Sequence, residues 1–385
     1  MSVAYGIHDL SVATGSRVLA LDLLAEYSGI DPDKFRLGLG QERLSVLAPD
    51  EDIVTMAAAA ALPIIERHGS DDIRAVLFAT ESGIDQSKSA AVFVHELLGL
   101  PRTCRVVEFK QACYGGTAAL QAALGMVARE PGSRVLVIAS DVARYALDSA
   151  AEATQGAAAV ALLVSADPAL VAVEPAAGVW TADIDDFWRP NDSDTALVDG
   201  RLSVDTYLAA VVGSWDDYRA RGGVDVADID LFCHHQPYTR MAHKALRALA
   251  AHTGTEIDEA RVAPSTVYNR QIGNSYTASL FLSLAAVLDG DDDLTGRRVG
   301  LYSYGSGATG EFLAVSVQPG YRAHTRAAAT LAALAARTPI DIATYRSLHA
   351  GATHRSAVDT EIAPASDGPF RFRGITGRAR HYERV

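Results

Sequence analysis

The sequence predicts an α/β fold: a mostly parallel sheet covered by helices, arranged as two similar halves. Three observations carry this. Residues 73–80 (IRAVLFAT), 134–140 (RVLVIAS) and 157–164 (AAAVALLV) are short, nearly continuous apolar runs, as strands buried on both faces require. Alanine- and leucine-rich helical segments alternate with them. The order strand, chemically capable residue, helix occurs twice, around Cys113 and around His235, with no residue-level repeat beneath it.

Taken in order, residues 18–28 are spaced as an amphipathic helix with Leu19, Leu23, Leu24 and Tyr27 on one side. DPDKF at 31–35 reads as an N-capped turn, and 51–67 as a long helix capped by Asp50. Glu81 stands at the C-terminal end of strand 73–80, the edge where open α/β sheets bind ligands. A helix over 89–98 breaks at 99–101. Strand 105–109 leads to Cys113, helix 117–129 follows, and Asp141 and Tyr145 come directly after strand 134–140. Residues 165–225 hold all three tryptophans and read as an irregular covering region, closed by a helix at 203–221. Strand 230–234 places His235 just past its end, before helix 241–253. Asn274 precedes helix 279–288. Strand 298–303 enters a glycine-rich turn with Gly305 and Ser306, and 311–317 is its hairpin partner. Residues 325–350 add helices. From 355 the chain reads as loop, an edge strand at 369–375 (PFRFRGI) and a basic tail. The organisation expected is 1–165 with Glu81 and Cys113, 166–325 with His235, Asn274 and Ser306, and 326–385 packed on the same unit.

The chain has 385 residues and a net charge of −13, which argues against nucleic-acid or anionic-membrane binding. Cys104, Cys113 and Cys233 lack C-x-x-C spacing, which suggests neither disulfides nor a metal site and fits a reducing, cytoplasmic setting. No basic segment followed by an apolar core opens the sequence, and no apolar run approaches the ~20 residues of a membrane span. Cys113 falls at the start of a helix, where the backbone dipole favours thiolate, the nucleophilic form. Gly115 and Gly116 allow close approach of substrate or backbone. GSGATG at 305–310 is not a phosphate loop, because no lysine follows it and no helix opens there.

The stretch EFKQACYGGTAALQAA (108–123) resembles the acetyl-accepting cysteine motif of 3-hydroxy-3-methylglutaryl-CoA synthases. ATESGIDQSKS (79–89), EATQGAAAVALLV (152–164), DFWRP (186–190), HHQPYTR (234–240), GNSYTAS (273–279) and YGSGATGEF (304–312) resemble that family's motifs in its order, covering about residues 5–325. The resemblance implies a thiolase-type fold of two halves in five layers (αβαβα), acetyl-CoA and acetoacetyl-CoA as substrates, no metal or redox cofactor, a role in the mevalonate pathway of isoprenoid synthesis, and a homodimer. It implies Cys113 as acyl-accepting nucleophile, Glu81 as the base at the acetyl methyl, and His235 as donor to the ketone oxygen. A histidine titrates near neutral pH and suits that donation. Family spacing selects His235 over His234. Asn274 and Ser306, beside Gly305, match positions that orient the substrates. Tyr114 is expected to line the pocket. Asp85, Asp141 and Asp186 match supporting acidic positions, Lys244 a lysine that contacts CoA, and Arg240 a position where the family often has lysine.

Two features depart from this pattern. GIHDL (6–10) has His8 at or near a place where aspartate is expected. KQACYGG also resembles the synthases of polyketide β-branching, whose acyl groups ride on an acyl carrier protein, whereas DFWRP and EATQGAAAVA look more like the mevalonate-pathway enzymes of actinobacteria. Decarboxylative ketoacyl synthases use Cys, His and Asn, all present here, but their chemistry has no place for Glu81. A catalytically inactive binding subunit would lack one of Cys113, Glu81 and His235.

Overall fold

The computed structural model describes residues 3–193, 195–351 and 358–385. The strands and helices are β1 (Tyr5–Thr14), β2 (Arg17–Ala20), α1 (Leu21–Ser28), β3 (Arg43–Val46), α2 (Ile53–His68), β4 (Ile73–Ala79), α3 (Ala90–Leu97), β5 (Arg105–Phe109), α4 (Gly115–Arg129), β6 (Arg134–Ala143), β7 (Gly156–Ala166) and β8 (Val171–Thr181). They continue as β9 (Phe187–Trp188), β10 (Leu197–Val198), α5 (Gly200–Ala220), β11 (Leu231–His234), α6 (Arg240–Thr253), α7 (Val267–Ile272), α8 (Ser279–Leu288), β12 (Arg298–Gly305), β13 (Thr309–Val317), α9 (Ala327–Ala336), β14 (Thr338–Pro339), α10 (Ile342–Gly351), β15 (Thr360–Glu361), β16 (Phe370–Thr376) and β17 (Ala379–Arg384).

A nine-stranded sheet runs in the order β11-β12-β13-β8-β1-β7-β6-β4-β5. Its two halves meet where β1 pairs with β8 at only Gly6–Ala172 and Ile7–Val171. Three hydrophobic cores separate the layers. One packs α2 and α3 on β4, β6 and β7. The middle one holds α4 and α8 between the halves. The third packs α5 and α6 on β11, β12 and β13. Helix, sheet, helices, sheet, helix is the five-layer α/β arrangement of the thiolase type. It follows from strands that are apolar on both faces and must be covered twice.

Several local expectations need correction. The sheet is mixed, not mostly parallel: β4 pairs in parallel with β5 and β6, and β11 with β12, while β7 is antiparallel to both β1 and β6 and the β12–β13–β8 run is antiparallel. An apolar run shows burial, not strand direction. Residues 18–28 split into β2 and α1; Leu19 and Leu24 are buried, whereas Leu23 and Tyr27 face solvent. Asp52, not Asp50, caps α2: its carboxylate accepts from Val54 and Thr55 N–H, and the Thr55 hydroxyl accepts from Asp52 N–H, a reciprocal capping box. Asp50 instead accepts from Ala365 and Ser366 N–H. In the region expected to be irregular, β8 is an eleven-residue strand against β13. Its Pro175 sits at the register shift opposite Leu313 and Val315, where a missing N–H is tolerated. The basic tail is β17, paired with β16, and Arg380 and Tyr382 both reach Asp52. The first residues of the expected loop, 355–357, lie outside the described residues.

Candidate active site

β5 ends at Phe109 and α4 begins at Gly115, so Cys113 hangs in the short turn between them. Ala112 holds a left-handed φ of 41° and Tyr276, in the opposing loop, one of 46°. Such strain at non-glycine residues persists only where the surroundings fix it, and it clusters at functional sites. Gly116 lets the second half approach: a Cβ there would lie 2.8 Å from Thr277 O and from the Phe281 ring.

The Cys113 thiol donates to Glu81 Oε1 at 2.9 Å. Burial, reinforced by Asp141, raises the Glu81 carboxyl to about 8. Burial also pushes the Cys113 thiol well up, and the neighbouring Glu81 pushes it further. This corrects the helix-dipole expectation. Desolvation and two carboxyls outweigh the partial charge of the helix end, so the resting group is a thiol in contact with a carboxyl. A thiol in contact with a carboxyl is an arrangement in which an adjacent base can activate a nucleophile.

Asp141 is inside β6 and fully buried. Its Oδ1 accepts from Thr80 Oγ1 at 2.7 Å, from Glu81 N at 2.9 Å, from Ser82 N at 3.0 Å and from Ser82 Oγ at 2.8 Å. Its Oδ2 accepts from Thr277 N at 3.1 Å and from the Thr277 hydroxyl. One carboxylate therefore staples the Glu81 loop of the first half to the Asn274 loop of the second. Asn274 Oδ1 accepts Tyr276 N–H at 2.9 Å, and the Tyr145 ring packs on that of Tyr276. Tyr145, Tyr276 and Phe187 pack edge-to-face at 6.0–6.3 Å, and Cys113 packs against this cluster.

His235 lies just past β11. Its N–H donates to Tyr302 O at 2.8 Å, and Tyr207 Oη donates to its carbonyl at 2.7 Å. Burial lowers the His235 ring to about 3 and leaves Nδ1 without a hydrogen-bond partner. The expectation of a histidine titrating near neutrality is corrected: burial keeps it a neutral imidazole. His234 is also buried and neutral. It stacks on Phe232, and among the described residues neither ring nitrogen has a hydrogen-bond partner.

The Ser306 turn is held from two sides. Asp186, fully buried, accepts from Tyr304 Oη at 2.8 Å and from Gly307 N at 2.9 Å. Gln111 Nε2 donates to Ser306 O at 3.3 Å. A Cβ on Gly305 would lie 2.5 Å from Gln111 O and 2.6 Å from Tyr114 N, so only glycine lets this turn touch the cysteine turn. Cys113 is within electrostatic reach of Tyr207 and Tyr304 of the second half. Glu81, Cys113, Asn274 and Ser306 thus converge, with Asp141 and Asp186 as their supports.

The remaining expected residues have other partners. Tyr114 Oη donates to buried Glu311 at 2.6 Å, which ties α4 to β13. Asp85 is exposed and accepts Ser87 and Lys88 N–H at 2.8 Å, a turn aspartate. On α6, Arg240 donates to Leu37 O at 3.1 Å, Lys244 Nζ donates to Tyr238 Oη at 2.9 Å, and Arg247 pairs with Glu259 at 2.7 Å. Of these basic groups, Arg247 is already neutralised by a carboxylate. Sequence reasoning passed over Tyr145, Tyr276 and Arg189 as site residues; the signal for Arg189 was its place in DFWRP. A cleft of about 440 Å³ opens beside the Glu81 loop, lined by Ser82, Gly83, Val142, Arg144 and Arg189 and walled by Phe372 and Arg380.

Known proteins match this arrangement along the whole chain. Residues 2–169 match the family model "Hydroxymethylglutaryl-coenzyme A synthase N terminal" and residues 242–340 its C-terminal counterpart. Hydroxymethylglutaryl-CoA synthase of Enterococcus faecalis is 42% identical over 371 residues, covering 95% of this chain and 96% of that protein. The polyketide 3-hydroxy-3-methylglutaryl-ACP synthase PksG of Bacillus subtilis is 36% identical over 80% of this chain and 79% of its own length. Among solved structures, an HMG-CoA synthase complexed with CoA superposes with a TM-score of 0.93 at 35% identity, covering 99% of this chain and 100% of that one. MvaS in complex with 3-hydroxy-3-methylglutaryl coenzyme A gives 0.91 at 37%, with 100% of both chains covered. The curacin-pathway HMG synthase in complex with an acetyl donor carrier protein gives 0.92 at 35%, covering 99% and 100%. With its paired thiol and carboxyl, its opposed loops and its five layers, this chain belongs to the hydroxymethylglutaryl-CoA synthase family.

Proposed function

We propose that this enzyme condenses acetyl-CoA with acetoacetyl-CoA to give 3-hydroxy-3-methylglutaryl-CoA, in the cytoplasm, as a homodimer, and as a step toward isoprenoids. The observation that carries the reading is the 2.9 Å contact between Cys113 Sγ and Glu81 Oε1. A thiol must lose a proton to attack a thioester, and the carboxyl in contact with it takes that proton in its ionised form, which burial sets at about pH 8 and above. Cys113 attacks acetyl-CoA, the proton passes through Glu81, and CoA leaves as its thiol. Glu81 then removes a proton from the methyl of acetyl-Cys113. The resulting carbanion forms a carbon–carbon bond to the ketone of acetoacetyl-CoA. The developing oxyanion is met by the His235 ring and by the Asn274 and Ser306 loops, and the proton Glu81 removed balances the one the new hydroxyl gains. Water then cleaves the Cys113 thioester, giving the product carboxylate and the free thiol. Every step has a side-chain donor or acceptor, so no metal or redox cofactor is assigned a role. Lys244 and Arg240 are proposed to face the CoA phosphates from the first turns of α6. The exposed edge of β5, with Val107 45% accessible, supports pairing between two copies.

A second reading keeps every residue in its role but places acyl groups on a carrier protein; the likeness to PksG and to the curacin synthase favours it. Intact-protein mass separates the two. Mixing with acetyl-CoA is expected to add one acetyl group, absent in Cys113→Ala. Discharge by acetoacetyl-CoA, with formation of hydroxymethylglutaryl-CoA, is the expected second result. Discharge only by an acetoacetyl carrier protein would transfer the chemistry to the second reading, and absence of any adduct would remove both.

A further inference from the structure

Arg189 has no task in the chemistry above, yet its backbone is fixed by neighbours that belong to the site. Asp186 is bound to Tyr304 Oη and Gly307 N, and its carbonyl accepts Asp199 N–H at 3.0 Å. Phe187 packs on Tyr145 and Tyr276, and β9 is paired with β10 through Trp188–Leu197 and Phe187–Val198. The guanidinium of Arg189 is half-buried and lines the 440 Å³ cleft together with Ser82 and Gly83, the two residues that follow Glu81. Among the described residues no carboxylate lies within ion-pair distance of it, so its charge is not spent on a local partner.

We propose that Arg189 is a positioning residue for proton transfer: its guanidinium, lining the cleft with Ser82 and Gly83, sets the pH at which the Glu81 carboxyl accepts the proton of Cys113 and of the bound acetyl group. The inference deepens the proposed function and rests on Glu81 being the base. The physics is a balance of opposed effects on one carboxyl. Burial and the charge of Asp141 hold Glu81 protonated, and the charge of Arg189 opposes them. The other titratable groups around Glu81 are Cys113 in the α4 turn, Asp141 on β6, and Tyr145 and Tyr276. Glu108 of β5 stands near Gly83, and Arg144 is on the same cleft wall. Of the other cations on this cleft, Arg144 already donates to His349 O at 2.7 Å and Arg380 pairs with Asp52 at 2.7 Å.

The test follows the pH dependence of Cys113 alkylation by iodoacetamide, beside the pH profile of turnover. In the unmodified enzyme both are expected to rise along one acid limb governed by Glu81. Arg189→Gln is expected to move that limb upward by about one pH unit, the shift typical of losing a nearby opposite charge. Arg189→Lys is expected to restore it to within a few tenths of a unit, which a merely structural role would not produce. Glu81→Gln is expected to abolish the limb. If the limb survives Glu81→Gln, the base assignment itself falls. If it vanishes there but stays in place in Arg189→Gln, with rates lowered equally at every pH, only the role of Arg189 is overturned.

Discussion

A carboxyl held away from water beside a second carboxyl keeps its proton over a range in which an exposed glutamate is ionised. Glu81 is in that state up to about pH 8. The same shift acts on stability. In the unfolded chain Glu81 titrates near 4.5, so its folding contribution is fully present below that pH and is lost as pH rises toward 8. Glu81→Gln is therefore expected to melt higher than the unmodified enzyme, with a difference that grows between about pH 4.5 and 8 and is flat above. Calorimetry across that range checks it, and a pH-independent difference would contradict the assignment. The same substitution should lower condensation by about 10²–10⁴-fold, the usual worth of a general base. The cysteine and the glutamate were legible because each stands inside a motif at the end of an apolar run. Their protonation states were not. Those depend on Asp141, 60 residues from Glu81, and on how deeply two halves of the chain bury the pair. The same holds for His235, whose neutral ring is a consequence of packing that no local spacing reports.

At the scale of elements, the sequence located most helices and strands but not their partners. The capping box at Asp52 and Thr55 is a local signal that was readable and was displaced by Asp50, whose own task is to hold residues 365 and 366. β8 was missed because its pattern, VAVEPAAGVWT, is broken by proline, glycine and a charge. It is regular only because β13 and β1 flank it. A different junction explains the unexpected GIHDL. Asp9, fully buried on β1, accepts from Arg67 at 3.1 Å and from Arg326 at 2.7 Å, with His68 at 2.8 Å. It thereby ties β1 to the end of α2 and to the start of α9. His8 stands in the same cluster, 5.1 Å from the His68 ring and 5.5 Å from that of His324, with Arg134 nearby. Asp9→Asn is expected to cost about 3–5 kcal/mol, because it strands cations around an empty partner. Burial, then His68 and His324, lower His8 below its usual 6.5. Its neutral form is thus favoured in the fold, and the stability it contributes is present above about pH 6.5 and lost as pH falls below it. Denaturant unfolding at pH 7.5 and 5.5 reads both effects.

For the whole molecule, the two halves share the middle core, and one carboxylate, Asp141, crosses between them, while Asp9 ties β1 to the start of α9. Among the described residues the sheet ends on one side at β5, whose outer edge has no strand beside it. Exposed, apolar edges of this kind are templates for pairing. Val107→Lys on that edge is expected to shift a homodimer to monomer in sedimentation velocity, with little change in helix content. An unchanged sedimentation coefficient would place any interface elsewhere. The consequence reaches further than assembly. β5 ends at Phe109, so the turn carrying the Cys113 thiol is suspended from the very strand that a second copy would brace. Dilution should then be felt at the sulfur: specific activity per chain would fall once the enzyme is diluted past its dissociation constant, even though Cys113 and Glu81 meet within one chain.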